Sequence, residues 1–266
     1  MNNNIDLVLF GAKGDLSERK LYPALYQLDR AGLLGDSVRI AGLARQDISS
    51  NEFIAEVEGN LKKHIPESDW DDATWRKFSR RLSYMKVDFS HKKDFMLLKA
   101  WLVEKRTAIY YLATPPSLYG AICNHLDAAG CVDDLARIVL EKPIGKDLDS
   151  SREVNATVGA HFNERNIYRI DHYLGKETVQ NLIALRFANS LFSSQWNSKN
   201  VDYVEITAAE SVGIEDRWGY FDGMGQLRDM VQSHLLQLLC LITMEPPNEL
   251  SNQGIRSEKV KVLEAL

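Results

Sequence analysis

Apolar and polar positions divide the first 170 residues into two alternating patterns. Short apolar runs, rich in β-branched residues, predict strands at 5–10, 38–43, 82–87, 108–112, 137–140 and 166–170. Apolar residues at three- and four-residue steps predict a helix that ends near residue 28 and helical regions over 51–81, 95–105, 118–129 and 149–163. In the first helix these steps place Leu21, Leu25 and Leu28 on the face toward the sheet. Strands that alternate with helices predict an α/β fold with a doubly wound, mostly parallel sheet.

The pattern changes after residue 170. A helix over 177–188 is followed by a longer, partly alternating strand over 201–209 that ends at Glu210, and then by a helix over 226–244. This order no longer repeats the earlier alternation, so it predicts a second domain of α+β character. We place the first domain at 1–172 and the second at 173–266.

Composition narrows the possible classes of protein. The 266 residues are 45% hydrophobic, and a formal net charge of -5 offers no long-range attraction for nucleic acid or an anionic membrane. No apolar run approaches the about eighteen residues of a membrane span, and the N-terminus has no basic leader. Three cysteines without a CxxC pair support neither a disulfide framework nor a zinc site. We expect a soluble, cytoplasmic protein without a bound metal.

A glycine-containing loop follows the first predicted strand and precedes the first predicted helix. It consists of Gly11, Ala12, Lys13, Gly14, Asp15 and Leu16. Glycines let backbone N–H groups approach a pyrophosphate at a helix N-terminus, as in the dinucleotide site of a Rossmann-like fold. Two glycines spaced by two residues differ from the usual GxGxxG pattern, so the loop favours such a site mainly through its position after a strand.

Two cationic residues follow later predicted strands. Arg45 stands where NAD-selective folds carry a carboxylate for the ribose 2′-hydroxyl, so it favours the 2′-phosphate of NADP. The alternative is an ordinary surface arginine. Lys142 is a candidate for contacting cofactor and substrate together, and a cis bond at Pro143 would aim it. The alternative for Lys142 is an exposed lysine before a turn proline.

The segment 169–177, RIDHYLGKE, follows the sixth predicted strand. It combines a carboxylate, an imidazole, a phenol and two cations, which are groups that can hold an anionic polyol. The alternative is a solvated loop between a strand and a helix.

His234 falls in an apolar stripe of the helix predicted over 226–244. By itself it fits a hydrogen-bonded core histidine better than a catalytic one. Asp171 offers a second interpretation, because a carboxylate on one ring nitrogen fixes the tautomer and stabilises the imidazolium that forms when the other nitrogen takes a proton. Such a pair would be a general base for the oxidation of an alcohol.

Four segments, 11–16, 141–143, 169–177 and 228–237, make the chain similar to glucose-6-phosphate dehydrogenases. The resemblance extends over all 266 residues, and RIDHYLGKE is close to diagnostic for that family. It implies the first step of the pentose phosphate pathway, in which the C1 hydroxyl of glucose 6-phosphate is oxidised to 6-phosphogluconolactone while NADP accepts the hydride. A different sugar oxidoreductase with the same dinucleotide fold is disfavoured by the phosphate-binding cluster after Asp171.

The resemblance also implies roles for individual residues. His234 corresponds to the general base and Asp171 to its carboxylate partner. The implied substrate residues are His172, Tyr173 and Lys176 at the phosphate, Lys142 between sugar and nicotinamide, and Glu210 and Asp229 at the sugar hydroxyls. The implied cofactor residues are Gly11 to Leu16, Arg45 and Lys142.

Members of this family continue well beyond residue 266, through an antiparallel sheet that forms the subunit interface of a homo-oligomer. We therefore expect 173–266 to be the first part of a substrate and dimerisation domain. The alternative to an active enzyme is a truncated, catalytically weak or inert fragment that binds NADP.

Overall fold

A computed structural model describes residues 4–209, 213 and 218–266 of the chain. The chain forms two compact units, of which the first ends at Ile170 and the second begins at Asp171. The described part of the first unit contains the strands β1 (Ile5–Phe10), β2 (Arg39–Ala44), β3 (Leu82–Lys86), β4 (Thr107–Leu112), β5 (Arg137–Leu140) and β6 (Ile167–Arg169). All neighbouring strands are parallel, in the order β3-β2-β1-β4-β5-β6. This doubly wound sheet confirms the predicted fold class.

Helices connect the strands, as the periodicity predicted. They are α1 (Tyr22–Arg30), α2 (Ser50–His64), α3 (Asp72–Ser79), α4 (Phe95–Trp101), α5 (Tyr119–Ala128) and α6 (Leu148–Gly159), with a π-helical segment, Ser17–Leu21, before α1. Helix α2 begins at a capping box, in which the Ser49 hydroxyl accepts from the Glu52 N–H and the Glu52 carboxylate accepts from the Ser49 N–H. Two backbone N–H groups at the start of α2 are thereby satisfied.

Apolar side chains lie on both faces of the sheet, as expected for parallel strands covered by helices. Val8 and Phe10 of β1 belong to a buried cluster with residues of α4 and α5, whereas Leu9 belongs to a cluster with residues of α1 and α2. Successive side chains of β1 therefore point to opposite faces. The loops at the carboxyl ends of the strands rest on a core that is filled from both sides.

The predicted leucine stripe forms only part of the buried face of α1. Leu21 and Leu25 are partly buried and pack against the cluster that includes Leu9, as predicted. Leu28 is exposed, whereas Tyr22, Tyr26 and Asp29 face the interior. These three residues follow the same four- and three-residue steps as the leucines but begin one position later, so the buried face is centred further around the helix. Tyr22 reaches back toward the glycine loop, where its hydroxyl donates to the Ala12 carbonyl at 3.0 Å.

A buried ion cluster lies at the start of β1. The Asp6 side chain is 1% exposed, and its carboxylate accepts hydrogen bonds from Arg39 at 2.6 and 2.9 Å and from Arg106 at 2.6 Å. Burial raises the pKa of Asp6, but these hydrogen bonds outweigh it and hold the pKa below its ordinary value near 3.8. The carboxylate is therefore ionised and fully paired at neutral pH.

The described part of the second unit is helical. It contains a 3₁₀ turn (His172–Gly175), α7 (Glu177–Phe187), α8 (Ser190–Ser193), α9 (Trp218–Gln226, interrupted at Gly225), a π-helical segment (Leu227–Leu235), α10 (Leu236–Thr243) and α11 (Asn252–Glu264). The strand predicted over 201–209 is wrong for this structure, because among the described residues no segment pairs with it in a sheet. An alternating pattern needs a hydrogen-bonded neighbour to form a strand. Here Tyr203 and Val204 are exposed instead.

Within the described ranges, no helix has both the length and the apolar character needed to cross a bilayer. The three cysteines, Cys123, Cys131 and Cys240, are buried free thiols. Burial raises the pKa of Cys123 to about 12 and that of Cys131 to about 11. These thiols are therefore protonated at neutral pH.

Candidate active site

The glycine loop lies at the carboxyl end of β1. Gly11 has a φ of +83°, and a Cβ atom there would lie 2.3 Å from the Ala113 carbonyl oxygen, so this position requires glycine. The Gly11 and Ala12 N–H groups both donate to the Leu43 carbonyl at 3.1 Å. The loop therefore touches the ends of both strands that flank β1. The strand order reverses between β1 and β4, and open α/β sheets bind dinucleotides at such a point.

Ser17 closes the glycine loop, although the sequence pattern did not single it out. Its buried hydroxyl donates to the Gly11 carbonyl at 2.9 Å, and the Gly14 N–H donates to the same carbonyl at 2.9 Å. Asp15 is exposed between them, and Leu16 is half-buried just before the π-helical segment. A small hydroxyl residue directly after the loop is the signal that could have identified Ser17.

Two cations stand at the ends of β1 and β2. Lys13 forms an ion pair with Glu56 of α2, with 2.5 Å between Nζ and Oε2. Arg45 is exposed directly after β2. The carboxyl ends of β1 and β2 thus carry two cationic side chains, and such side chains can hold phosphate groups.

Lys142 lies in the connection after β5, and its peptide bond to Pro143 is cis, as predicted. Two tyrosines hold the residue before it: the Tyr111 hydroxyl donates to the Glu141 carboxylate, and the Tyr119 hydroxyl donates to the Glu141 carbonyl at 3.0 Å. Burial and the bond to Glu141 raise the pKa of Tyr111, and burial raises the pKa of Tyr119 to about 12. Both hydroxyls therefore remain donors at neutral pH and fix the backbone next to Lys142. The sequence pattern gave no signal for these two tyrosines.

In the second unit, Asp171 and His234 form a hydrogen-bonded pair. Asp171 Oδ1 lies 2.6 Å from His234 Nδ1 and also accepts the Tyr173 N–H at 3.0 Å. His234 is 0% exposed and belongs to the π-helical segment before α10. For a neutral imidazole, a carboxylate at Nδ1 selects the tautomer with the proton on Nδ1 and the lone pair on Nε2. This is the tautomer that a general base needs.

The Tyr173 ring is stacked on the imidazole of His234. Their centroids lie 4.2 Å apart with an interplanar angle of 12°. Lys176 Nζ lies over the Tyr173 ring, 3.5 Å from its centroid. The exposed His172 ring meets the His234 ring edge-on at 4.5 Å. Tyr173 is therefore a buried support for the imidazole, while His172 and Lys176 are open to solvent beside it.

The structure treats three other residues of the predicted segments differently. Arg169 belongs to the first unit, where its guanidinium donates to the Glu164 carboxylate at 2.7 and 3.1 Å. Asp229 is half-buried and precedes His234 by five residues, and the i→i+5 winding of this segment sets both on one side of the helix axis. Glu210 lies outside the described residues.

Lys259 of α11 is a further charged group of this region that sequence spacing did not reveal. Its Nζ donates to Gln237 Oε1 at 2.8 Å. Burial lowers the pKa of Lys259, while nearby Cys240 and Asp171 act in the opposite direction. Lys259 lies on a helix without a strong apolar stripe, so no periodic signal marks it.

Asp171, His172 and His234 each offer an atom that could bind a metal, and these atoms lie within 4.8 Å of one another. A zinc ion bound by nitrogen and oxygen sits about 2.0–2.2 Å from each ligand atom. It would have to replace the 2.6 Å bond between Asp171 and His234. That bond already accounts for the closeness of two of the three groups, so the geometry is that of a base with an orienting carboxylate.

Two family profiles match the chain. The first, described as glucose-6-phosphate dehydrogenase, NAD binding domain, matches residues 8–181, and the second, described as glucose-6-phosphate dehydrogenase, C-terminal domain, matches residues 183–266. Similar proteins include the glucose-6-phosphate 1-dehydrogenases of Dickeya dadantii (strain 3937), 52% identical over 262 residues, and Rhizobium meliloti (strain 1021), 46% identical over 263 residues. These alignments cover 98% of this chain but 53% and 54% of those proteins.

Solved structures give the same result. A glucose-6-phosphate dehydrogenase in complex with its substrate glucose-6-phosphate has a TM-score of 0.91 at 38% sequence identity, over 98% of this chain and 56% of its own. The glucose-6-phosphate 1-dehydrogenase from Mycobacterium avium has a TM-score of 0.91 at 36% identity, with the same coverage. The chain therefore spans about half the length of the relatives it matches.

Proposed function

This chain belongs to the glucose-6-phosphate dehydrogenase family, and from that premise we propose that it oxidises the C1 hydroxyl of glucose 6-phosphate to 6-phosphogluconolactone, with hydride transfer to NADP. The observation that carries the proposal is the 2.6 Å contact between Asp171 Oδ1 and His234 Nδ1. The relative whose structure contains glucose-6-phosphate supports the choice of substrate.

His234 acts as the general base. Its Nε2 accepts the proton of the C1 hydroxyl, and the Asp171 carboxylate stabilises the imidazolium that forms. Because the imidazole is buried and stacked on Tyr173, its orientation is held before the substrate arrives. Removal of the hydroxyl proton raises the electron density at C1 and so promotes departure of the hydride.

His172 and Lys176 are the residues we assign to the substrate phosphate. Both are exposed beside the base, and an ammonium group and an imidazole can donate hydrogen bonds to phosphate oxygens. Tyr173 supports this cluster from its buried side. Fixed contacts to the remote phosphate help to place C1 for reaction. The further assignments rest on the match to the family pattern: Lys142 to sugar and cofactor, Glu210 and Asp229 to sugar hydroxyls.

The glycine loop is the part of the chain we assign to the dinucleotide. It lies beside the point between β1 and β4 where the strand order reverses, which is where open α/β sheets bind dinucleotides. Arg45, exposed after β2, is assigned to the 2′-phosphate of NADP. When bound, the cofactor accepts the hydride, while the residues of the chain orient the reactants and remove the proton.

The proposal is tested by measuring NADPH formation when glucose 6-phosphate is added to the purified 266-residue chain. His234→Ala should lower the rate by about 100-fold or more, since general bases contribute roughly 10²–10⁴-fold. His91→Ala, at an exposed histidine of the first unit, is the control and should leave the rate unchanged. Turnover that survives in His234→Ala would reject the base assignment. Equal affinities for glucose and glucose 6-phosphate would reject the roles of His172 and Lys176.

A chain that binds NADP without forming NADPH is the second candidate. The exposed apolar side chains of the second unit, such as Leu191 and Tyr203, favour it, because an incompletely covered unit holds a catalytic pair less firmly. Binding without turnover in the same assay would support this candidate.

We further propose a cytoplasmic location, since free thiols fit a reducing compartment. We also propose a homo-oligomeric state, which size-exclusion chromatography can measure.

A further inference from the structure

Lys13 of the glycine loop is already paired with a carboxylate of its own chain. Its Nζ lies 2.5 Å from Oε2 of Glu56, and the two side chains are 16% and 43% exposed. A lysine in a dinucleotide loop is well placed to attract a phosphate group. The ion pair therefore creates a competition between Glu56 and any phosphate that approaches Lys13.

The packing of α2 on β2 brings Glu56 to this position. A Cβ atom on Gly42 would lie 2.6 Å from the buried ring of Phe53 and 2.9 Å from Ala12 Cβ, so the helix and the loop both press on β2 at this glycine. Glu56 follows Phe53 by three residues and therefore lies on the same face of the helix. The ion pair with Lys13 is thus a consequence of core packing.

Lys13 and Arg45, the residue assigned to the 2′-phosphate, extend from neighbouring segments of backbone. The Ala12 N–H donates to the Leu43 carbonyl at 3.1 Å, and Arg45 follows Leu43 by two residues. Lys13 directly follows Ala12, so both cations extend from backbone that meets at the ends of β1 and β2. A dinucleotide places its adenosine ribose in this region, where NADP carries a phosphate and NAD a hydroxyl.

We propose that Glu56 is a specificity-determining residue, which moderates the preference for NADP over NAD by neutralising Lys13. This inference rests on the proposed function, because it concerns the cofactor of that reaction. A phosphate monoester brings about 1.5 to 2 negative charges at neutral pH. Glu56 repels that group and holds the cation that would attract it, whereas the neutral 2′-hydroxyl of NAD is little affected.

Neighbouring carboxylates are engaged elsewhere. The Glu52 carboxylate accepts hydrogen bonds from the Ser49 N–H at 2.7 Å and hydroxyl at 2.8 Å, so its removal would break the cap of α2. Asp47 is paired with Lys86 at 2.6 Å. Glu56 is therefore the position at which charge can be removed next to Lys13 with little change in the fold.

The experiment compares the dissociation constants of NADP and NAD, measured by calorimetric titration of the 266-residue chain and its variants. Glu56→Gln should tighten NADP binding by about three- to tenfold and change NAD binding by less than about twofold. The gain should shrink as the salt concentration rises. Glu58→Gln is the matched control, because Glu58 lies on the same helix and pairs with Lys62 at 2.5 Å. It should change neither constant.

Arg45→Ala separates a failure of this inference from a failure of the cofactor assignment. It should weaken NADP binding much more than NAD binding. If the chain binds neither dinucleotide, or if Arg45→Ala weakens both equally, the cofactor assignment fails and the inference fails with it. If Arg45→Ala behaves as expected but Glu56→Gln leaves the ratio of the two constants unchanged, or weakens NADP binding, then the role of Glu56 alone is rejected.

Discussion

The two units of this chain are stabilised in different ways. The first buries apolar side chains on both faces of its sheet, and large ones such as Phe10 are fully covered. In the described part of the second, the buried apolar cluster consists of Val179, Leu241 and Met244 with partly covered neighbours, while Tyr203 is 80% exposed. Apolar burial is the main favourable term in folding, so the first unit, which carries the loop assigned to the cofactor, should be the more stable one.

Polar contacts take the place of apolar burial in the second unit. Arg186 of α7 donates to the Leu241 and Met244 carbonyls at the end of α10, at 2.7 and 2.9 Å. Trp196 donates to the Ile242 carbonyl at 2.8 Å. These bonds hold the C-terminal end of α10, which directly follows the π-helical segment that contains His234. Cofactor binding should therefore survive perturbations that displace the proposed base, because regions with few buried apolar contacts open at lower free energy.

The largest effect on stability should come from removing the carboxylate of the buried ion cluster in the first unit. Asp6→Ala leaves two arginines without their carboxylate and should lower the free energy of unfolding by about 3–5 kcal/mol, as measured by urea denaturation. Asp47→Ala removes an equally short but exposed ion pair with Lys86 and should cost about 1 kcal/mol or less. Similar losses in the two variants would show that burial does not decide the strength of the pair.

The loss of unfolding free energy in Asp6→Ala should also depend on pH. The pKa of Asp6 is lower in the folded chain than its ordinary value near 3.8, so its contribution is complete above that pH and disappears as the pH falls through the folded-state pKa. The difference in stability between the natural chain and Asp6→Ala should therefore narrow in acid. A difference that widens in acid would contradict the sign of this pKa shift.

A smaller effect is expected from the apolar cluster of the second unit. Leu241→Ala, at a side chain that is 3% exposed, should destabilise α10 by about 2 kcal/mol, near the lower end for such changes, because its partly covered surroundings can relax. Amide hydrogen exchange of α10 measures this loss. Leu227→Ala, at a side chain that is 66% exposed, is the control and should stay within about 0.5 kcal/mol. A loss as large as that of Asp6→Ala would contradict the contrast between the units.

The smallest effect uses the cysteines as reporters of local opening. Burial raises the pKa of Cys123 in the first unit and of Cys240 in the second, so neither thiol reacts without exposure to solvent. Iodoacetamide at pH 8 should alkylate Cys240 about tenfold faster than Cys123, a difference of about 1.4 kcal/mol in opening free energy. Mass spectrometry of digested protein gives both rates, and alkylation in denaturant provides the reference. Faster alkylation of Cys123 than of Cys240 would contradict the expectation that the second unit opens more readily.

Sequence periodicity located the strands of the first unit within one or two residues, because each is a short apolar run between turns. The same reasoning failed at 201–209, since a strand depends on a neighbour that can pair with it, and local alternation does not supply one. It located the buried face of α1 only in part, because the leucine spacing does not show that Tyr22, Tyr26 and Asp29 are the residues buried most deeply.

The candidate site was predictable in its residue types but not in its arrangement. A carboxylate, an imidazole and a cation within 171–176 indicate proton transfer and anion binding. The stacking of Tyr173 on His234 joins residues far apart in the chain, and the pairing of Lys13 with Glu56 depends on the packing of a helix on a strand. Both are tertiary contacts, which no local pattern contains.

The π-helical winding of Leu227–Leu235 limits how this segment can be redesigned for greater stability. Regularising this segment into an α-helix is an obvious design step, since i→i+4 hydrogen bonds are the commoner geometry. Five residues of an α-helix advance about 500°, so Asp229 would lie roughly 140° around the axis from His234. The redesigned chain would gain a better helix, but Asp229 and His234, the two residues proposed for the substrate, would no longer lie on one side of its axis.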